Sequence, residues 1–171
     1  MLQFVLGGAR SGKSRYAQKI AEQLSKPVVY IATAQALDEE MQQRIVHHQQ
    51  QRPAEWQLIE SPLYLADNLA KIDQQGQVIL VDCLTLWMSN LLLDSDPNMQ
   101  SMQCEKLLST LIQLNSDVIL VSNETGLGVV PMGQLSRQFI DESGRLHQQI
   151  AQLADTVTFC VAGLPMRLKG E

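Results

Sequence analysis

The chain has no apolar run near the roughly 20 residues that a membrane-spanning helix needs, and its apolar amino end, MLQFVLGGAR, is too short for the core of a secretory signal. A cytoplasmic protein without a membrane span is therefore expected. Cysteine is scarce: Cys83, Cys104 and Cys160 are odd in number, far apart and without Cys-x-x-Cys spacing. That excludes a disulfide framework and a thiolate zinc site as organising features. Positive charge is in deficit, with a net charge of -5 and no block of Lys or Arg. Neither nucleic acid nor an anionic membrane is expected as a partner. Internal repeats and Pro/Gly/Ser-rich linkers are lacking too. A length of 171 residues suits one compact domain, and 45% hydrophobic with 18% charged residues is the make-up of a globular protein. Residues 1–171 are expected to form a single domain.

What the chain does have is alternation of two kinds of segment. LQFVL (2–6), VVYIAT (28–33), VILVD (78–82), VILVSN (118–123) and TVTFCVAG (156–163) read as strands buried on both faces. Helical spacing occupies 13–25, 37–51, 63–72, 85–93, 101–114 and 134–154. Strands that alternate with helices imply an α/β fold with a mostly parallel β-sheet and flanking helices.

The first strand runs into GGARSGKS, where Gly7, Gly12, Lys13 and Ser14 fit G-x-x-x-x-G-K-[ST] between a strand and a helix. Glycines let the loop curl so that backbone N–H groups point inward, and the helix that follows adds its positive end. The expected ligand is the phosphate tail of a nucleotide. Lys13 would reach the β and γ phosphates, and the Ser14 hydroxyl would hold Mg2+. Asp82 ends VILVD, at the edge where parallel sheets collect ligands. Two roles stay open for it there, ligand to the Mg2+ and cap of the helix that begins near Leu84. The Asn/Thr-Lys-x-Asp base reader of guanine-specific switch proteins is missing: Lys71-Ile72-Asp73 follows Ala70 and precedes a strand.

In DEEMQQRIVHHQQQRP, Met41, Ile45 and His48 fall at i, i+4 and i+7, and Arg44, His48 and Arg52 recur every four residues. His48 thus borders an apolar face beside two arginines, while His47 shares a line with Gln43 and Gln51 and faces water. A neutral imidazole can attack phosphorus and form a phosphoramidate, and nearby arginines favour the unprotonated ring. Helical spacing alone leaves that reading beside a histidine without chemistry.

The stretches GGARSGKSRYA, YIATAQALDEEMQQRIVHHQQQRPAEWQLIE and VSNETGLGVVP resemble the bifunctional adenosylcobinamide kinase / adenosylcobinamide-phosphate guanylyltransferase family of cobalamin synthesis, over about residues 2–163. The resemblance implies a P-loop NTPase-like (RecA-like) fold and two reactions. A nucleoside triphosphate phosphorylates adenosylcobinamide, and GTP then transfers GMP to the adenosylcobinamide phosphate through a GMP-histidine, which by motif is His48. It further implies GTP or ATP as the nucleotide, with contacts at Gly7, Gly8, Ala9, Arg10, Ser11, Gly12, Lys13 and Ser14, at Ala32, Thr33 and Ala34, at Gln49, Gln50, Gln51 and Arg52, and at Glu60 and Asp82, and a homo-oligomer. Thr33 could equally cap a helix, and Glu60 could be a plain surface acid. Asn123 and Glu124 stand at the ligand-facing edge with their role undecided. Two rivals remain at this point: a P-loop small-molecule kinase in which His48 is structural, and a nucleotide-sensing module without turnover.

Overall fold

The structure, a computed structural model, describes residues 1–35, 39 and 53–170. The helix expected over 37–51 lies, apart from Glu39, outside the described residues. The strands are β1 Leu2–Gly7, β2 Val28–Ala32, β3 Gln57–Glu60, β4 Val78–Asp82, β5 Asp117–Asn123, β6 Thr156–Val161 and β7 Leu164–Lys169. The described helices are α1 Lys13–Gln23, α2 Leu65–Ile72, α3 Leu84–Leu92, α4 Met99–Leu111 and α5 Gln134–Leu153. All five expected strands and the other five expected helices are present, with ends shifted by a few residues.

The strands form one sheet in the order β3-β2-β4-β5-β1-β6-β7. β1 to β6 run parallel and β7 returns antiparallel. This is the α/β, mostly parallel arrangement expected from the alternation of segments. Side chains alternate between two cores. Phe4, Ile79, Val81, Val118 and Leu120 point into one core, where α2, α3, α4 and α5 contribute Leu65, Trp87, Leu107 and Ile150. Val5, Val78, Leu80, Ile119 and Val121 point into the other, packed against Ala17 and Ala21 of α1. Because both faces are covered, the central strands read as unbroken apolar runs. Trp87 is fully buried, and its indole N–H donates to Leu63 O at 2.8 Å.

Two strands depart from the expectation, which assigned neither. β3 is short and, but for half-buried Ile59, exposed; β7 is exposed throughout and contains Pro165. Both lie at the rims of the sheet, where an apolar pattern is not required and a proline is tolerated. The segment expected as a strand over 156–163 ends at Val161. Ala162 and Gly163, at φ 52° and 80°, form a two-residue hairpin turn into β7, which positive φ at both positions suits.

Parallel pairing brings the carboxyl ends of β1 to β6 to one edge. Across it, Glu60, Ala32 and Asp82 lie in register, as do Asn123, Gly7 and Cys160. β5 separates the strand of Gly7 from the strand of Asp82.

Candidate active site

The cradle is built between β1 and α1. Ser11 N–H donates to Gly8 O at 3.2 Å, closing the loop, and Arg10 and Gly12 take φ 55° and 90° to let it curl. α1 has no acidic residue in its first turn, so its amino end is left to an external anion. The Lys13 ammonium donates to Gly8 O at 3.2 Å, which folds the lysine over the loop. Two close approaches explain the glycines. A Cβ on Gly12 would stand 3.0 Å from Gly163 Cα, and one on Gly7 would stand 2.7 Å from Cys160 O. Gly163 N–H donates to Ser11 O at 2.9 Å, so the β6–β7 turn braces the loop from behind. The Ser11 hydroxyl is buried without a hydrogen-bond partner among the described residues.

Asp82, half-buried, ends β4 at the same edge, two strands from the loop. The residue that caps α3 is Cys83, with no side-chain cap bond, so Asp82 does not cap the helix. A carboxylate and the Ser14 hydroxyl, both at the sheet's ligand edge, are the hard oxygen donors that Mg2+ takes together with substrate phosphates. Among the described residues there is no cluster of three or more His, Cys, Asp or Glu for a dedicated metal cage. Burial, and next the charge of Asp82, push the Cys83 thiol up to about 11. It is an unreactive thiol at neutral pH.

Thr33 is fully buried, and its hydroxyl donates to Cys83 O at 2.6 Å and accepts from Cys83 N–H at 3.0 Å. Its carbonyl accepts from Asn90 Nδ2 at 2.8 Å, and the same amide reaches Pro62 O at 3.0 Å. The hydroxyl thus ties the end of β2 to the end of β4 and is neither free for a ribose nor a helix cap. Ala32 O accepts from Ser61 N–H at 2.8 Å, which ties the turn after β2 to the end of β3. Glu60 is exposed at the tip of β3. His48, Gln49, Gln50, Gln51 and Arg52, and His47, lie outside the described residues.

Two features had no signature in the sequence. One is Asn90, which pins two turns of the site from α3. The other gathers residues distant in the chain: His147 Nε2 and Ser122 Oγ are 2.8 Å apart, Ser122 Oγ and Thr85 Oγ1 3.3 Å, and Thr85 Oγ1 accepts from Asn123 N–H at 2.7 Å. His147 Nδ1 lies 3.8 Å from Glu124 Oε2, and Glu124 N–H donates to Gly7 O at 3.1 Å. Burial lowers the His147 pKa below 6.5, against the opposing pull of Glu124. Beyond Glu124, Thr125 borders an apolar cleft of about 310 Å³ with Leu92, Leu93, Phe139 and Ile140.

The curled loop on β1, the lysine folded over it and the acid two strands away define a P-loop nucleotide-binding α/β protein. A family model described as cobinamide kinase / cobinamide phosphate guanyltransferase (CobU) matches residues 3–168. The bifunctional adenosylcobalamin biosynthesis protein CobP of Pseudomonas aeruginosa is 56% identical over 171 residues, covering 100% of this chain and 99% of that one. The corresponding CobU of Escherichia coli is 37% identical over 182 residues, covering 99% of this chain and 100% of that one. In solved structures, protein PH0250 of Pyrococcus horikoshii shares the fold at a TM-score of 0.58 and 9% identity, over 99% of this chain and 86% of that one. The chain belongs to the cobinamide kinase / cobinamide phosphate guanylyltransferase family. It is a bifunctional enzyme of adenosylcobalamin biosynthesis, and the rival readings of a kinase alone or a sensor without turnover fall away.

Proposed function

We propose that one domain performs both transfers at the edge where Gly7, Asp82 and Glu60 lie, with the loop 7–14 as the shared grip on the triphosphate. The observation that carries this is Lys13 folded over the curled loop at the amino end of α1, whose first turn holds no acid. In the kinase step the hydroxyl of adenosylcobinamide attacks the γ phosphorus of GTP or ATP, and the bond to the β phosphate breaks. In the second step a ring nitrogen of His48 attacks the α phosphorus of GTP and pyrophosphate leaves. An oxygen of adenosylcobinamide phosphate then displaces the imidazole, giving adenosylcobinamide-GDP.

Lys13 would offset the negative charge that gathers on the bridging oxygen in either transfer. Ser14 and Asp82 would hold the Mg2+, which when bound offsets phosphate charge. The backbone of Ala32 to Ala34, the segment Gln49 to Arg52, and Glu60 are assigned to the nucleoside end, where Glu60 can accept from ribose hydroxyls or from guanine N–H donors. The reacting phosphorus differs between the steps, so GTP takes two poses. The proposed setting is the cytoplasm, in keeping with three cysteines that are all free thiols. Among the described residues no helix is long and apolar enough to cross a membrane.

Incubation with α-labelled GTP tests the histidine. Wild type and His47→Ala are expected to hold acid-labile label, and His48→Ala to hold none while still phosphorylating cobinamide. Label retained by His48→Ala overturns the assignment. A homo-oligomer is also proposed, supported by Val129 and Met132, which are 95% and 96% exposed on the loop that follows β5. Light scattering is expected to give a mass above that of one chain, reduced by Val129→Glu with Met132→Glu.

A further inference from the structure

β5 runs between the strand of the cradle and the strand of Asp82, about 4.8 Å from each. Its carboxyl tip therefore lies between Lys13 and the metal acid, where the γ phosphoryl has to be. Asn123 and Glu124 form that tip. Asn123 Oδ1 is buried without a partner among the described residues, and the Glu124 side chain is 23% exposed. Glu124 is anchored at both ends: its N–H is on Gly7 O at 3.1 Å, and Oε1 accepts from Gly126 N–H at 2.5 Å.

The hydroxyl relay behind it admits two proton orders, because a hydroxyl oxygen can accept twice and either hydroxyl can donate. Asn123 N–H can only donate, so Thr85 Oγ1 accepts there; in the order that keeps a hydrogen between His147 and Glu124, Thr85 turns its own hydrogen to Ser122 Oγ. Ser122 then donates to His147 Nε2. A neutral imidazole that accepts at Nε2 carries its hydrogen on Nδ1, and Nδ1 faces the Glu124 carboxylate. The opposite order would aim a bare nitrogen lone pair at a carboxylate. At 3.8 Å the Nδ1–H is a dipole directed at Glu124 rather than a formed hydrogen bond, and such contacts tighten around reactants. Phe4 packs on the ring at 5.5 Å between centroids and holds its plane.

We propose that Glu124 is the general base of the kinase step, and that His147, set by Ser122 and Thr85, is the positioning residue that aims it. This rests on the kinase reading of the same site and adds to it the group that takes the acceptor's proton. As the acceptor oxygen forms its bond to the γ phosphorus and the bond to the β phosphate breaks, the hydroxyl proton passes to the Glu124 carboxylate. The nucleoside diphosphate departs with the bonding pair, and Glu124 returns the proton to water.

The test measures phosphoryl transfer from ATP to cobinamide by the full chain, with the GTP-induced rise in melting temperature as a check that each variant folds and binds. Glu124→Gln is expected to lower kcat about 100-fold or more, the lower part of the range for general bases, with KM for ATP little changed. Glu124→Ala is expected to regain about tenfold with added formate, which a merely structural carboxylate would not permit. An Asn amide nitrogen stands where Nδ1 stands, whereas a Gln amide stands where Nε2 stands. His147→Asn is therefore expected to keep kcat within about threefold, and His147→Gln to lose about tenfold. Glu124→Gln within threefold of wild type, or no formate rescue of a folded Glu124→Ala, overturns the base. Equal loss in both His147 variants overturns the positioning role. If wild type itself moves no phosphoryl group to cobinamide, the kinase reading fails rather than this assignment.

Discussion

At the scale of single residues, the cradle depends on positions where only glycine fits. Gly12 combines φ 90° with a neighbouring backbone 3.0 Å from where a Cβ would stand. Gly12→Ala is expected to destabilise the fold by about 1–3 kcal/mol, the usual cost of a side chain in a sparsely populated backbone region. It should also abolish measurable GTP binding, because the shifted loop no longer converges its N–H groups; denaturant titration and a nucleotide titration check the two effects separately. The glycine spacing that marks this loop was legible in the sequence, since it records a local backbone demand. Thr33 was legible as a residue at the ligand edge, but not as the tie between β2 and β4, because its partner Cys83 is 50 positions away. The same applies to His147. Nothing in the spacing of 85, 122, 124 and 147 foretells that the sheet and two helices bring them into one relay.

At the scale of elements, the parallel core strands were legible because burial on both faces writes itself as unbroken Val, Ile and Leu. The rim strands were not, for β3 and β7 meet solvent and carry no such run. The packing of α5 against β5 through His147 has a pH signature of its own. Its pKa is held below 6.5 in the fold, so below about that pH the unfolded chain binds a proton that the native state refuses. Stability is expected to fall as pH drops through 6.5 and to level off below the native value. Asp117 and Asp73 act lower down. Burial alone would raise both, but Lys26 and the Met1 ammonium outweigh it at Asp117, and bonds from Asn115 and Ser116 outweigh it at Asp73, leaving both below 3.8. Their contribution is complete above 3.8 and is lost as pH falls through the lower native values. Urea denaturation at stepped pH should resolve two separate declines, and His147→Asn should remove only the upper one.

At the scale of the whole molecule, a ligand held at one edge stabilises every strand that ends there. At a GTP-Mg2+ concentration about 100 times its dissociation constant, mass action adds about 2.7 kcal/mol. For a domain of this size that corresponds to a rise in melting temperature of about 5–11 °C, readable by calorimetry. Lys13→Ala is expected to remove most of the rise at the same GTP concentration without lowering the melting temperature of the unliganded protein. Whole-molecule function was legible only through the combined stretches around the cradle, around His48 and after β5, because a phosphate grip alone serves many chemistries.

The turn at Ala162 and Gly163 gives the timing of synthesis a role. The loop that grips phosphate is synthesised well before the backbone on which Ser11 and Gly12 rest. A nascent chain halted before that hairpin emerges is expected to hold no GTP, so the enzyme cannot spend nucleotide until the turn has been made.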